Sequence, residues 1–123
     1  MTEVTYDAVS HPRHYVSHES DVECLTVTRN LTFICGNAVK YVWRADLKNG
    51  LEDLMKARFY LREAVDWGDE VFISGRSRNI AVRLLDRVIE HEDGDRRDFF
   101  VALRAGHRPL MLAAVERMLL DLG

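Results

Sequence analysis

From residue 31 to residue 122 the apolar side chains recur three and four positions apart, in runs separated by turn chemistry, and that period commits the chain to packed helices. Phe33, Ile34, Ala38, Val42 and Ala45 mark a helix over about 31–45. Leu54, Met55, Phe59, Leu61 and Val65 mark a second over about 51–66, with Ala57 and Ala64 smoothing its other face, and Asn49-Gly50 supplies the turn between them. After Ser77 a further helix turns Ile80, Ala81, Leu84, Leu85 and Val88 inward, until His91-Glu-Asp-Gly-Asp stops it. Asp95 is placed to cap a helix carrying Phe99, Phe100 and Leu103, closed by Gly106, and Pro109 suits the first turn of a last helix reaching Leu122. A short helix over 22–28 precedes these, with Asp21 and Glu23 in its first turn. Residues 71–73 read either as one short strand or as a connector folded onto the core. The expectation is an all-α, compact bundle of five to six helices, forming a single helical domain over 1–123.

Composition narrows the function classes. A net charge of -3 argues against general nucleic-acid binding and against an anionic membrane surface, although a local basic cleft is compatible with it. Cys24 and Cys35 form neither a Cys-x-x-Cys pair nor a zinc spacing, so both read as reduced core thiols. The N-terminus lacks a basic region followed by an apolar run, and no stretch approaches the ~20 apolar residues of a membrane span. A soluble, cytoplasmic protein is expected. The last helix is apolar over more than one face, from Leu110 to Leu122, which predicts that it also packs against another copy in a homo-oligomer.

Charge usage singles out one stretch. Of 17 basic residues 14 are arginines, and the three lysines, Lys40, Lys48 and Lys56, all lie within residues 36–60. A compact ammonium on a flexible stem serves as a movable point charge against phosphate, where a planar guanidinium would not substitute. Asn37, Lys40, Tyr41, Arg44 and Lys48 fall along one side of the 31–45 helix and its exit. Asp53, Lys56, Tyr60 and Glu63 form a matching stripe on the next helix, which a short connection folds back antiparallel, so the two stripes line one cleft. The competing reading is a set of solvated salt bridges such as Asp53 with Lys56. Because the second helix is apolar or small on most sides, Asp53 and Lys56 are expected to be partly shielded from water.

His11, His14 and His18 precede Glu19, Asp21 and Glu23, a pattern that reads as a metal site or as a polar loop over a ligand. No Cys or His follows at metal spacing. Pro12 holds the segment extended, and His14 and Tyr15 are then placed to donate to phosphate and to stack on a base.

The succession His11-Pro-x-His-Tyr15, Glu23-Cys24, Gly36-Asn-Ala-x-Lys-Tyr-x-x-Arg44, Lys48 and Glu52-Asp-Leu-x-Lys-Ala-x-x-Tyr60 resembles a family of small phage proteins called SaV-like or phage nucleotide kinase-like. The resemblance spans residues 11–66; residues 67–123 supply helical packing and oligomerisation. It implies a nucleotide-binding protein in the cytoplasm of an infected bacterial host, and a nucleoside monophosphate kinase that uses ATP without a P-loop. No G-x-x-x-x-G-K-[ST] occurs in this chain. On that implication Lys40, Arg44, Lys48 and Lys56 neutralise phosphate, and Asp53 or Glu23 holds Mg2+ or orients the acceptor, while His11, His14, Tyr15, Asn37, Tyr41 and Tyr60 contact the nucleotide. The alternative is a non-catalytic oligomer that sequesters a nucleotide or nucleotide-derived signal. A helical pyrophosphohydrolase is less favoured, because Glu63-Ala-Val-Asp66 supplies only half of the paired carboxylate motif such enzymes use.

Overall fold

A computed structural model describes residues 18–45 and 50–122. Among the described residues six helices follow one another: α1 (Cys24–Thr28), α2 (Phe33–Ala45), α3 (Gly50–Trp67), α4 (Gly75–Glu90), α5 (Gly94–Ala105) and α6 (Arg108–Leu122). The fold is the all-α bundle that the periodicity dictates. Residues 71–73 add a lone antiparallel bridge from Phe72 to Leu31. The Thr32 N–H donates to the Val71 carbonyl at 2.9 Å and the Ile73 N–H to the Asn30 carbonyl at 3.1 Å, lacing the α3–α4 connection to the α1–α2 turn.

The most extensive helix contact is between α2 and α3. Their register is antiparallel, since Arg44 near the end of α2 meets Asp53 near the start of α3, and Tyr41, one turn earlier, meets Tyr60. On α3 the core face is Leu54, Ala57, Leu61 and Ala64. Leu51, Met55, Phe59 and Val65 are exposed instead. Both sets obey a helical period, so periodicity alone does not choose between them. The alanines decide it, because small side chains let α3 approach α2 closely while Leu54 and Leu61 fill the space beside them.

Helix ends depart from expectation in small, explicable ways. The start of α4 is Gly75, with the Ser74 Oγ accepting from the Ser77 N–H at 3.1 Å. Its core face is Ala81, Leu85 and Val88, one helical step from Ile80, which is left 46% exposed. Asp93 rather than Asp95 holds the N-cap position of α5, and Asp95 sits in its first turn, paired with Arg117 of α6 at 3.0 Å. Gly106 closes α5 in the left-handed region at φ 68°. Glu23 is the N-cap of α1, and Asp21 lies outside the helix, at φ 64° in a turn where its N–H donates to the His18 carbonyl. A short side chain that can bond locally makes Asp one of the few residues tolerant of that conformation.

One core runs through all six helices. Trp43 of α2 meets Phe100 of α5 edge-to-face at 5.6 Å, and Phe100 meets Phe99 at 5.2 Å. Guanidinium forks tie the surface of the bundle. Arg104 bonds Asp86, Arg117 bonds Asp95 and Asp98, and Arg62 bonds Glu116. Met111, Ala114, Val115 and Met118 bury the inner face of α6, whereas Leu110, Leu120 and Leu122 remain exposed. No helix among the described residues is long and apolar enough to cross a membrane.

Candidate ligand-binding site

The polar stripes of α2 and α3 meet where Tyr41 faces Tyr60. The two rings are nearly parallel, 5° apart in plane with centroids at 6.1 Å, and Phe59 stands edge-on to Tyr60 at 5.3 Å. Three cations among the described residues converge on Tyr41. The Lys40 ammonium lies 4.5 Å from its ring centroid, that of Lys56 5.3 Å, and the Arg44 guanidinium carbon 5.9 Å. The negative face of an aromatic ring attracts such charges, so the ring gathers them without neutralising them. Beside it opens a groove of about 540 Å³ lined by Tyr41, Leu51, Glu52, Met55, Lys56, Phe59 and Tyr60.

The three cations differ in what else holds them. Arg44, 20% exposed, places its Nε 3.4 Å from Oδ2 of Asp53, which is 1% exposed. Both atoms are buried and neither makes a hydrogen bond of good geometry, so charge rather than a directed bond joins them. Lys56 is 47% exposed and reaches Glu52 one turn back at 3.4 Å, a pairing worth only tenths of a kcal/mol. Lys40 has no carboxylate partner among the described residues.

Helix geometry explains why Lys40 also faces the other way. Cys24, Leu25, Thr28, Leu31, Thr32, Phe33, Gly36, Asn37 and Lys40 line a second hollow of about 250 Å³, between α1 and the first half of α2. Here the Cys24 thiol is pushed up to about 12, chiefly by burial, which the nearby Lys40 charge only partly offsets. It is a neutral wall of the hollow rather than a nucleophile.

Of the residues singled out from sequence, Lys40, Tyr41, Arg44, Lys56 and Tyr60 come together around one ring. Asn37 lies one turn away in the α1–α2 hollow. Asp53 is beneath the cluster, more fully shielded than expected and paired with Arg44 instead of Lys56, which itself is largely in water. Glu23 caps α1, its carbonyl accepting from both the N–H and the hydroxyl of Thr26. His11, His14, Tyr15 and Lys48 lie outside the described residues. Leu51, Met55 and Phe59 were not singled out for the site; their i, i+4, i+8 spacing is the signal that would have found them.

The third histidine of the early cluster has a structural role. The Ser20 N–H donates to His18 Nδ1 at 3.0 Å, which leaves Nε2 to carry the proton it donates to Glu92 at 2.9 Å. Arg96 bonds Glu92 through two nitrogens, each at 3.0 Å, and donates to the Val42 carbonyl at 2.7 Å, and Arg87 donates to the Ser20 carbonyl at 2.8 Å. Burial alone would raise the Glu92 carboxyl, but the bonds from His18 and Arg96 outweigh it and hold the group below its ordinary range. Among the described residues no three His, Cys, Asp or Glu side chains gather as a metal would require.

Residues 9–62 are similar to a family of proteins of unknown function, DUF3310. The match takes in α1, α2 and most of α3, and hence every lining residue of the groove and of the α1–α2 hollow. No curated protein and no solved structure matches the chain.

Proposed function

We propose that this chain binds a nucleotide in the α2–α3 groove, the base lying against Tyr41, Tyr60 and Phe59 and the phosphate against Lys40 and Lys56. The observation that carries this reading is the convergence of three cations on the Tyr41 ring at the edge of an open, aromatic-lined groove. An aromatic wall takes any base through its π face, and a flexible ammonium follows a phosphate without demanding one geometry.

Two activities use such a site. As a phage kinase acting in the host cytoplasm, the protein would bind Mg-ATP and a nucleoside monophosphate. An oxygen of the monophosphate would attack the γ-phosphorus, the bond to the bridging oxygen of ADP would break, and the cations would stabilise the charge in transit. As a sequestering protein it would hold the nucleotide unchanged. The burial of Asp53 under an ion pair with Arg44 favours the second activity, because a carboxylate so placed serves the α2–α3 joint before it serves a metal or an acceptor. In either case the exposed Leu110, Leu120 and Leu122 support self-association through α6.

A magnesium-ATP reaction with each ribo- and deoxynucleoside monophosphate, run beside a melting panel with the same ligands, tests the reading. Stabilisation by a nucleotide, lost in Lys40→Ala, is the expected result; diphosphate product would establish transfer as well. Neither signal from folded protein would refute both activities. Sedimentation of the wild type against Leu120→Lys tests the α6 contact, which predicts an oligomer reduced to monomer.

A further inference from the structure

The groove and the α1–α2 hollow are neighbours that share a cation. Asn37 lines the hollow and Tyr41 lines the groove, and four residues of helix separate them by only ~6 Å along the axis of α2. Lys40 stands on the ridge between. It lines the hollow, where its charge is felt by Cys24, and its ammonium lies over the Tyr41 ring. The two recesses offer the same kind of surface. The groove presents Phe59 and the paired tyrosines, and the hollow presents Phe33, 78% exposed at its lip, above an apolar wall of Leu25, Leu31 and Cys24. Among the described residues the Phe33 ring is not part of the core.

From this juxtaposition we infer that the two recesses form one bipartite site for a dinucleotide, two nucleosides joined by a phosphodiester, with the linking phosphate on Lys40. One base lies in the groove against Tyr41 and Tyr60, and the other enters the hollow beneath Phe33, where Asn37 and Thr28 in the lining supply polar groups to its edge; the Thr32 hydroxyl is already committed to the Glu70 carbonyl at 2.6 Å. Lys40 is the cation suited to that position, since no carboxylate among the described residues holds it. Lys56 then meets the terminal phosphate at the far side of the groove. The inference rests on the nucleotide reading of the groove and adds to it the second recess and the linked ligand.

Calorimetric titration of the full chain with the four deoxynucleoside monophosphates and with their 5′-phosphorylated homodinucleotides tests it. The expected result is one dinucleotide bound per chain, at least about tenfold tighter than its own monophosphate, the factor that stacking one further base supplies. Phe33→Ala, at an exposed site that leaves the core intact, and Leu25→Trp, which fills the hollow from its rim, each remove that gain and leave the monophosphate affinity unchanged. Monophosphates that bind while every dinucleotide binds no tighter would overturn the bipartite site and leave the groove reading standing. So would two equivalent monophosphates per chain, or a dinucleotide gain that survives both variants. Absence of binding by all eight ligands would overturn the groove reading with it.

Discussion

Replacing Arg44 by Met tests what joins α2 to α3. The substitution keeps the aliphatic stem and its packing but removes the cation that, among the described residues, pairs with the Asp53 carboxylate. Two unit charges 3.4 Å apart attract by roughly 5 kcal/mol at an effective dielectric of about 20. Desolvation of the two groups offsets part of this, and the measured penalty for stranding one partner of a buried pair is of order 3 kcal/mol. Because Arg44 retains some contact with water, the lower end of that range applies. An unfolding entropy of about 2.1 cal/mol/K per residue over 123 residues then places the fall in Tm at roughly 12 °C. Urea and thermal unfolding of Arg44→Met measure it. The double variant Arg44→Met with Asp53→Leu removes both charges and leaves no stranded carboxylate, so it recovers to within about 1 kcal/mol of the wild type. A fall of less than about 2 °C in the single variant, or a double variant as unstable as the single, would refute the claim that the pair is buried and interdependent. The double variant also separates structure from chemistry: diphosphate formation that persists in it takes Asp53 out of any transfer mechanism.

The Glu92 network gives a signed dependence on pH. Its folded value is depressed from an ordinary 4.5, so its contribution is fully present above that pH and is lost as pH falls through the lower folded value. Wild-type Tm is therefore expected to fall more steeply below pH 4.5 than that of Glu92→Gln, and parallel curves would contradict the assignment. Two glycines give opposite signs. Gly106→Ala places a Cβ at φ 68° and 3.5 Å from the Phe72 ring, and should lower stability by about 1 kcal/mol. Gly36→Ala lies within α2, where the nearest atom to the new Cβ is the Thr28 carbonyl at 3.6 Å, and should raise stability by up to about 1 kcal/mol in the same denaturation assay.

Much of this architecture can be read from periodicity, because each helix carries its own apolar stripe and its own stop. Gly106 is an example: it follows the last apolar residue of α5 and is the left-handed cap the position demands. What periodicity does not carry is the choice between two stripes on one helix. On α3 the sequence offers Leu54, Leu61 and their alanines against Leu51, Met55 and Phe59, and only the position of α2 decides which becomes core and which becomes the wall of a groove. The partner of Asp53 is hidden for the same reason. Lys56 is near in sequence, but Arg44 is the cation that the antiparallel register brings to the buried carboxylate. The link from His18 to Glu92 spans 74 positions and leaves no local signature.

The division of labour between arginine and lysine supplies a last test. Among the described residues the cations that bond one element to another are guanidiniums: Arg96 on the Val42 carbonyl, Arg87 on the Ser20 carbonyl, Arg108 on the Asp69 carbonyl, Arg104 on Asp86 and Arg117 on Asp95. The planar fork suits those fixed bonds because little freedom is lost per bond formed. Lys40 and Lys56, by contrast, make no hydrogen bond or ion pair to a second element among the described residues, and both gather at the Tyr41 ring, Lys56 reaching it from α3. If they are there only to place positive charge beside an aromatic ring, an arginine serves equally well. If a compact, mobile ammonium is needed to meet a phosphate at the ridge, it does not. Lys40→Arg separates these cases: it should fold like the wild type, yet show nucleotide binding weakened by about tenfold, a loss of about 1.4 kcal/mol, approaching that of Lys40→Ala. Wild-type affinity in Lys40→Arg would show that charge alone suffices at position 40, and the concentration of lysines on this face would then have no bearing on the ligand.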